Sequence, residues 1–223
     1  MRLVIANKLY SSWSMRPWLV MRAFDIPFQE QVIPLKQPDT KAAILKVTPS
    51  GKVPVLIDGG VHVWESLAII EYLAEKFPEK QIWPKDSKAR AHARAIANEM
   101  HGGFLALRQA LPMNLSKTFM APPLSEDAEA NIARIEEIWR EASAKFGQRG
   151  KFLFGNFSAA DAMFAPVVTR LDTYQIKVTP AARDYMDTML THPAFLAWKK
   201  GASLEPWRIP DYEAGHVAAD AKR

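Results

Sequence analysis

Residues 50–73 read SGKVPVLIDGGVHVWESLAIIEYL. Two apolar runs, Val55-Leu56-Ile57 and Val61-His62-Val63-Trp64, flank Asp58-Gly59-Gly60. That pattern predicts a β-hairpin, because a tight connection between strands needs residues that tolerate positive φ. After it, Glu65-Ser66 marks the change from strand to helix. Leu67, Ile70, Leu73 and Phe77 then recur roughly on one face of a helix over 67–76. Pro54 stands just before the first strand, after a tight Gly51-Lys52 turn. It is a candidate cis bond, or else an ordinary strand-initiating proline.

Upstream, Leu3 to Ala6 is a short apolar strand, followed by a polar loop from Asn7 to Ser14. Met15 to Phe24 reads as a helix with Pro17 in its first turn, where a missing N–H does no harm. Phe28 to Ile33 alternates like a strand, and Lys41 to Lys46 looks like a short helix. The order β-α-β-α-β-β-α over residues 1–80 matches a thioredoxin-like α/β layout, a mixed sheet between helices.

Downstream, 81–86 reads as a linker and 87–205 as an all-α domain, with a tail over 206–223. The stretch 87–112 carries Ile96, Met100, Phe104, Leu107 and Leu111 at helical spacing. Ser125 starts a helix with Ile132, Ile135, Trp139, Ala142 and Phe146 on one face. Ser158 to Asp161 is an Asp variant of the capping box. The helix it opens, 159–174, is apolar nearly all round, which places it at the domain core, with a kink at Pro166. Thr179-Pro180 and His192-Pro193 begin two shorter helices. From Gly201 the chain is mixed and ends in a polar segment expected to fray.

Of the 223 residues, 48% are hydrophobic and 24% charged, as in an ordinary globular protein. The net charge of +5 is spread along the chain, so no tract reads as a nucleic-acid site. The chain has no cysteine, which excludes disulfides, cysteine zinc sites and a protein thiol nucleophile. Histidines 62, 92, 101, 192 and 216 show no metal-ligand spacing, so no metal is expected. No apolar stretch approaches the ~20 residues of a membrane span. The N-terminus reads as a strand and not as a signal peptide. The expectation is a cytoplasmic enzyme or binding protein.

Three segments carry chemistry. Tyr10-Ser11-Ser12-Trp13-Ser14-Met15-Arg16 puts hydroxyls at a helix N-terminus, where free N–H groups and the helix dipole suit an anion such as a thiolate. Helix capping is the plainer role for those serines. At Val53-Pro54, a cis bond would turn the Val53 N–H and C=O outward, so that an extended peptide could pair there as an added strand. At Glu65-Ser66, the serine hydroxyl, its N–H and the helix dipole suit a carboxylate, and Glu65 suits an ammonium. The free end of an α-amino acid offers both charges.

In order and spacing, Ser-Ser-x-Ser-x-Arg, Ser-Gly-Lys-Val-Pro-Val-Leu and Glu-Ser-Leu-Ala-Ile-Ile-Glu-Tyr-Leu resemble the cytosolic glutathione transferases. The likeness is nearest to the serine-type zeta class and related bacterial enzymes. Gly155-Asn156-Phe157-Ser158-Ala159-Ala160-Asp161 is similar to the family's capping motif. The resemblance implies glutathione as co-substrate. Ser11, on the zeta-type pattern, or Ser12, on theta-type spacing, would bond its sulfur. Val53 would pair with its cysteinyl backbone beside Pro54, and Glu65 and Ser66 would hold its γ-glutamyl end. Lys41, or else Lys36, would meet the glycyl carboxylate. Trp13, beside the sulfur, departs from the zeta pattern, which has cysteine there.

The electrophile, a small and largely apolar molecule, would lie between the first loop and Met100, Phe104, Arg108 and Met113. One alternative is a glutathione-dependent cis–trans isomerase of the maleylacetoacetate or maleylpyruvate kind, with Arg16, Arg108 and Arg170 holding a dicarboxylate. Another is a non-catalytic scaffold on the same fold. The family is usually homodimeric, with Glu99 or His101 approaching the neighbour's glutathione.

Overall fold

The structure, a computed structural model, describes residues 1–147 and 150–212. The part of the expected tail beyond 212 lies outside the described residues. The first half runs β1 (Arg2–Ile5), α1 (Ser12–Ala23), β2 (Gln29–Val32), α2 (Thr40–Leu45), β3 (Val55–Asp58), β4 (Val61–Trp64) and α3 (Ser66–Lys76). The strands form one sheet in the order β2-β1-β3-β4. β1 is parallel to β2 and antiparallel to β3, and β3 and β4 form the hairpin, with Val55 opposite Trp64.

Alternation along the strands divides the core in two. Leu3, Ile5 and Leu56 pack with Leu19 and Met15 of α1 and with Ile69, Ile70 and Leu73 of α3. Val4 and Val55 face the other way, onto Ile33 and onto Ile44 of α2. The mixed sheet is therefore packed between helices.

α1 begins three residues earlier than the pattern suggested. Pro17 consequently lies inside the helix and not in its first turn. There it denies the Trp13 carbonyl its helical partner.

The second half is helical: α4 (Ser87–Gly102), α5 (Leu105–Ala110), α6 (Glu126–Phe146), α7 (Ala159–Thr173), α8 (Pro180–Leu190) and α9 (Pro193–Ser203). The single helix expected over 87–112 is two. Gly103 closes α4, where an added Cβ would stand 2.8 Å from the Glu99 carbonyl oxygen, and Phe104 takes a left-handed conformation at φ 61°. Apolar periodicity continues across this break, which is why it is invisible in the pattern.

α7 is buried almost throughout and packs on α1, α4 and α8. Asp161 accepts the Ser158 N–H at 2.8 Å, the Ser158 hydroxyl at 2.8 Å, the Leu153 N–H at 3.1 Å and the Tyr185 hydroxyl at 3.2 Å. Across to the sheet side, Arg16 Nε donates to the Met163 carbonyl at 3.2 Å.

Residues 204–212 fold back onto the first half. Glu205 and Ile209 are buried, and Tyr212 meets Tyr10 edge-on, with ring centres 5.4 Å apart. No helix among the described residues is long and apolar enough to cross a membrane.

Candidate active site

The start of α1 is built by serines. Ser11 is its N-cap, accepting the Ser14 N–H at 3.3 Å. The Ser11 hydroxyl donates to Ser14 Oγ at 2.8 Å, and Ser14 Oγ in turn accepts the Ala6 N–H at 3.1 Å. The Ser11 proton is thus engaged in holding the turn. The Ser12 hydroxyl, at the first helical position, has no partner among the described residues. Ser11, Ser12 and Trp13 all line one cavity of about 610 Å³, within the range usual for small-molecule sites.

Val53, Pro54 and Glu65 line the same cavity. The Val53-Pro54 bond is cis. Val53 lies outside the strands, and neither its N–H nor its C=O is hydrogen-bonded to a described residue. An extended peptide has a free donor and acceptor to pair with there. Glu65 takes φ 70° at the N-cap of α3. One residue on, the Ser66 hydroxyl is fully buried with no partner among the described residues.

The cavity is also cationic. Arg108 and Arg170 line it, with Met113, Leu105 and Tyr212. Arg108 Nε donates to the Gly103 carbonyl at 3.0 Å, and its terminal nitrogen reaches the Met100 carbonyl. Arg170 Nε donates to the Leu111 carbonyl at 2.8 Å. Arg16 lies behind them, fully buried, with both terminal nitrogens unpartnered. None of the three has a carboxylate partner among the described residues.

Burial lowers the Arg16 and Arg108 pKa values, with Arg108 and Arg170 adding repulsion at Arg16. Burial brings Arg170 down to about 10. A guanidinium with that pKa is still charged at neutral pH. The Trp13 ring sits within 4.3 Å of the Arg16 guanidinium carbon and 4.9 Å of that of Arg108, measured to its centre. Such contacts partly offset buried cationic charge.

The structure leaves several expected residues outside the cavity lining. Lys41 is exposed on α2, and Lys52 lines the cavity instead. Met100 and Phe104 are packed in the core, Met100 fully buried, because the turn at Gly103 swings Leu105 and Arg108 to the cavity in their place. Glu99 pairs with Arg134 at 2.8 Å. His101 approaches Glu65 of its own chain, Nε2 to Oε2 at 3.8 Å, and meets the Trp13 ring at 5.1 Å. Leu105, Pro112 and Tyr212 had no sequence signal, and Lys52 stood in the quoted Ser50–Leu56 motif without a role assigned to it. Arg170 was named with Arg16 and Arg108 for a dicarboxylate, and it lines the cavity with Arg108. Among the described residues no group of three His, Cys, Asp or Glu side chains could hold a metal.

Comparison with known proteins agrees with this geometry. Residues 10–76 match the family model of the glutathione S-transferase N-terminal domain, and residues 122–198 that of its C-terminal domain. A "Probable maleylacetoacetate isomerase" of Caenorhabditis elegans is 26% identical over 200 residues, covering 85% of this chain and 91% of that protein. "Glutathione S-transferase 1" of Dianthus caryophyllus is 31% identical over 163 residues, covering 70% and 71%. A glutathione transferase homolog from Burkholderia GL BGR1, solved with bound glutathione, superposes with a TM-score of 0.70 at 21% identity, covering 91% of this chain and 97% of that one. With both halves matched in order and the Dianthus relative above 30% identity, this chain belongs to the glutathione S-transferase family.

Proposed function

We propose that this chain is a glutathione transferase that activates the glutathione thiol for attack on a small electrophile. The observation that carries this reading is convergence. Ser11 and Ser12 at a helix start, the unpaired main chain of Val53, and Glu65 open into one cavity, whose lining also holds two guanidinium groups. Glutathione would pair its cysteinyl backbone with Val53 and place its γ-glutamyl end at Glu65; Ser66, expected to share that role, is buried outside the cavity lining. Its glycyl carboxylate would meet Lys52, which lies in the lining where Lys41 does not. Ser12, with its proton uncommitted, would donate to the sulfur, and Ser11 would hold the turn through Ser14.

The magnitudes suffice without a general base. Lowering a thiol pKa by ~2 units requires about 2.7 kcal/mol of preference for the anion. One hydroxyl bond to a charged acceptor supplies ~1.5–3 kcal/mol and the helix start a further ~0.3–1 kcal/mol. The thiolate then forms a C–S bond to the electrophilic carbon, which gives up its leaving group or takes a proton. Holding both reactants in one cavity supplies much of the acceleration.

Arg108 and Arg170 favour a second reading, a glutathione-dependent isomerase of unsaturated dicarboxylates. Thiolate addition to a cis double bond conjugated to a carbonyl moves the electron pair onto the carbonyl oxygen. The bond rotates, and its re-formation expels the same thiolate. Two guanidinium groups without carboxylate partners suit the substrate's two carboxylates. The name of the C. elegans relative points the same way. We infer a cytoplasmic homodimer, in keeping with the family. In support, β4 is an edge strand whose Val61 and Trp64 leave 48% and 41% of their surface exposed.

The test is calorimetric titration with glutathione, with thiolate absorbance followed against pH, then turnover of a neutral halide electrophile and of a cis-unsaturated diacid. Binding with a lowered thiol pKa supports the enzyme. Preferential turnover of the diacid selects the isomerase. No binding at millimolar glutathione removes both in favour of a scaffold.

A further inference from the structure

The segment that follows α9 is tied into the loop that leads to Ser11 and Ser12. Glu205 is 8% exposed. Its two carboxylate oxygens accept the Lys8 N–H at 2.8 Å and the Leu9 N–H at 3.2 Å. Beside it, Trp198 Nε1 donates to the Lys8 carbonyl at 3.0 Å. The Lys8 ammonium lies 5.9 Å from the Trp18 ring centre and 5.7 Å from that of Trp198, and pairs with Glu30. Its stem passes so close to α9 that a Cβ on Gly201 would stand 2.9 Å from it. Both amides of residues 8 and 9 and the Lys8 carbonyl therefore find partners between residues 198 and 205, while the Leu9 carbonyl accepts the Leu115 N–H at 3.1 Å.

The same segment goes on to the cavity. The Ile209 N–H donates to the Tyr10 hydroxyl at 3.3 Å, and Asp211 pairs with Lys36 at 3.5 Å. Leu9, Tyr10, Ala202 and Ile209 make a small core of their own, with Tyr212 packed against it. Tyr10 and Tyr212 both line the cavity that holds Arg108 and Arg170. A buried carboxylate is costly unless its acceptors are filled, and here two amide donors fill them. With two of its N–H donors held by Glu205 and its Lys8 carbonyl by Trp198 of α9, the loop has little freedom to move Ser11.

We propose that Glu205 is a positioning residue for the thiol site. It fixes the loop from Asn7 to Ser11, and the segment it anchors makes Tyr212 a specificity-determining wall for the second substrate. The inference rests on the glutathione reading for its kinetic consequence but not for its structural one.

The test uses the full chain with Glu205→Gln, Glu205→Asp and Tyr212→Ala. Backbone hydrogen exchange needs no ligand. Glu205→Gln is expected to speed exchange at residues 8–15 about tenfold while β3, β4 and α6 stay unchanged. It should also raise the pKa of bound glutathione by at least about half a unit and lower kcat more than it raises KM. Tyr212→Ala should leave that pKa unchanged and alter the KM ratio of a small and a bulky electrophile at least about fivefold. Unchanged exchange at 8–15, or a uniform rise across the whole chain, overturns the positioning role, as does an unchanged thiol pKa. An unchanged KM ratio overturns the role of Tyr212. If Glu205→Gln does not fold, Glu205→Asp, which keeps the charge and shortens the reach, decides by the same readouts. If the wild type binds no glutathione, the proposed function falls, and the exchange measurement alone decides whether Glu205 holds the loop.

Discussion

The guanidinium carbon of Arg16 lies 4.3 Å from the centre of the Trp13 ring, and the terminal nitrogens of Arg16 have no other partner among the described residues. Arg108 approaches the same ring. One indole thus serves two cations that repel each other. Trp13→Ala should destabilise the fold by about 2–3 kcal/mol, combining lost cation–π contact with lost burial. Trp13→Phe should recover roughly half of that. Urea unfolding of the two variants measures both.

The two serines should separate by assay. Ser12→Ala is expected to raise the pKa of bound glutathione by ~1–2 units, while its Kd changes less than threefold, since one charge-assisted bond is lost. Ser11→Ala should cost about 1 kcal/mol of stability as a lost N-cap, and shift the thiol pKa by less than half a unit. Thiolate absorbance against pH, run beside thermal unfolding, distinguishes the pair. A large pKa shift in Ser11→Ala alone would reverse the assignment.

Arg108→Gln should raise KM for a dianionic electrophile tenfold or more and leave a neutral electrophile within about threefold. The loss of one charge-assisted pair is worth ~1.5–3 kcal/mol. Steady-state kinetics with the two substrates decide it. Equal losses on both would mean that Arg108 serves mainly to tie α4 to α5 through the Gly103 and Met100 carbonyls.

His101 predicts a pH dependence. Burial lowers its pKa, Arg16 and Arg108 add to that, and Glu65 opposes it, while Trp13 covers the ring edge. With the folded value below the unfolded one, the folded state favours neutral imidazole. The stability His101 contributes is present above pH ~6.5, its ordinary value, and is lost as pH falls through the lowered folded value. An imidazolium 3.8 Å from Glu65 would also compete with the substrate's ammonium. Glutathione affinity should therefore weaken as pH drops from about 6.5 to 5, and His101→Gln should flatten that decline. Titration calorimetry at several pH values checks it.

Features carried by local chemistry were legible in the sequence. The Asp58-Gly59-Gly60 hairpin, the Ser125 cap and the box joining Ser158 to Asp161 each depend on residues a few positions apart. The Ser11-Ser12, Val53-Pro54 and Glu65-Ser66 segments were recognisable because each needs particular residue types beside a helix start or turn. What stayed hidden depends on partners distant in sequence. Glu205, at the edge of the expected helical domain, and Ile209, in the expected tail, show no role until residues 8–10 are folded beside them. Met100 and Phe104 fit a pocket as well as a core on composition alone. The left-handed turn at Phe104, not its side chain, sends them inward. Lys52 and Lys41 are equivalent as cations, and only the fold of the Gly51-Lys52 turn places one at the cavity.

The bond from Trp198 to Lys8 and the carboxylate of Glu205 also bear on synthesis. A ribosome that has released the first eighty residues has delivered both serines, Val53 and Glu65. At that moment the amides of Lys8 and Leu9 face water, and the loop before Ser11 lacks the groups that set it. In the finished protein those amides are met by the Glu205 carboxylate and the Lys8 carbonyl by Trp198. Setting of that loop therefore waits on α9 and on Glu205 beyond it.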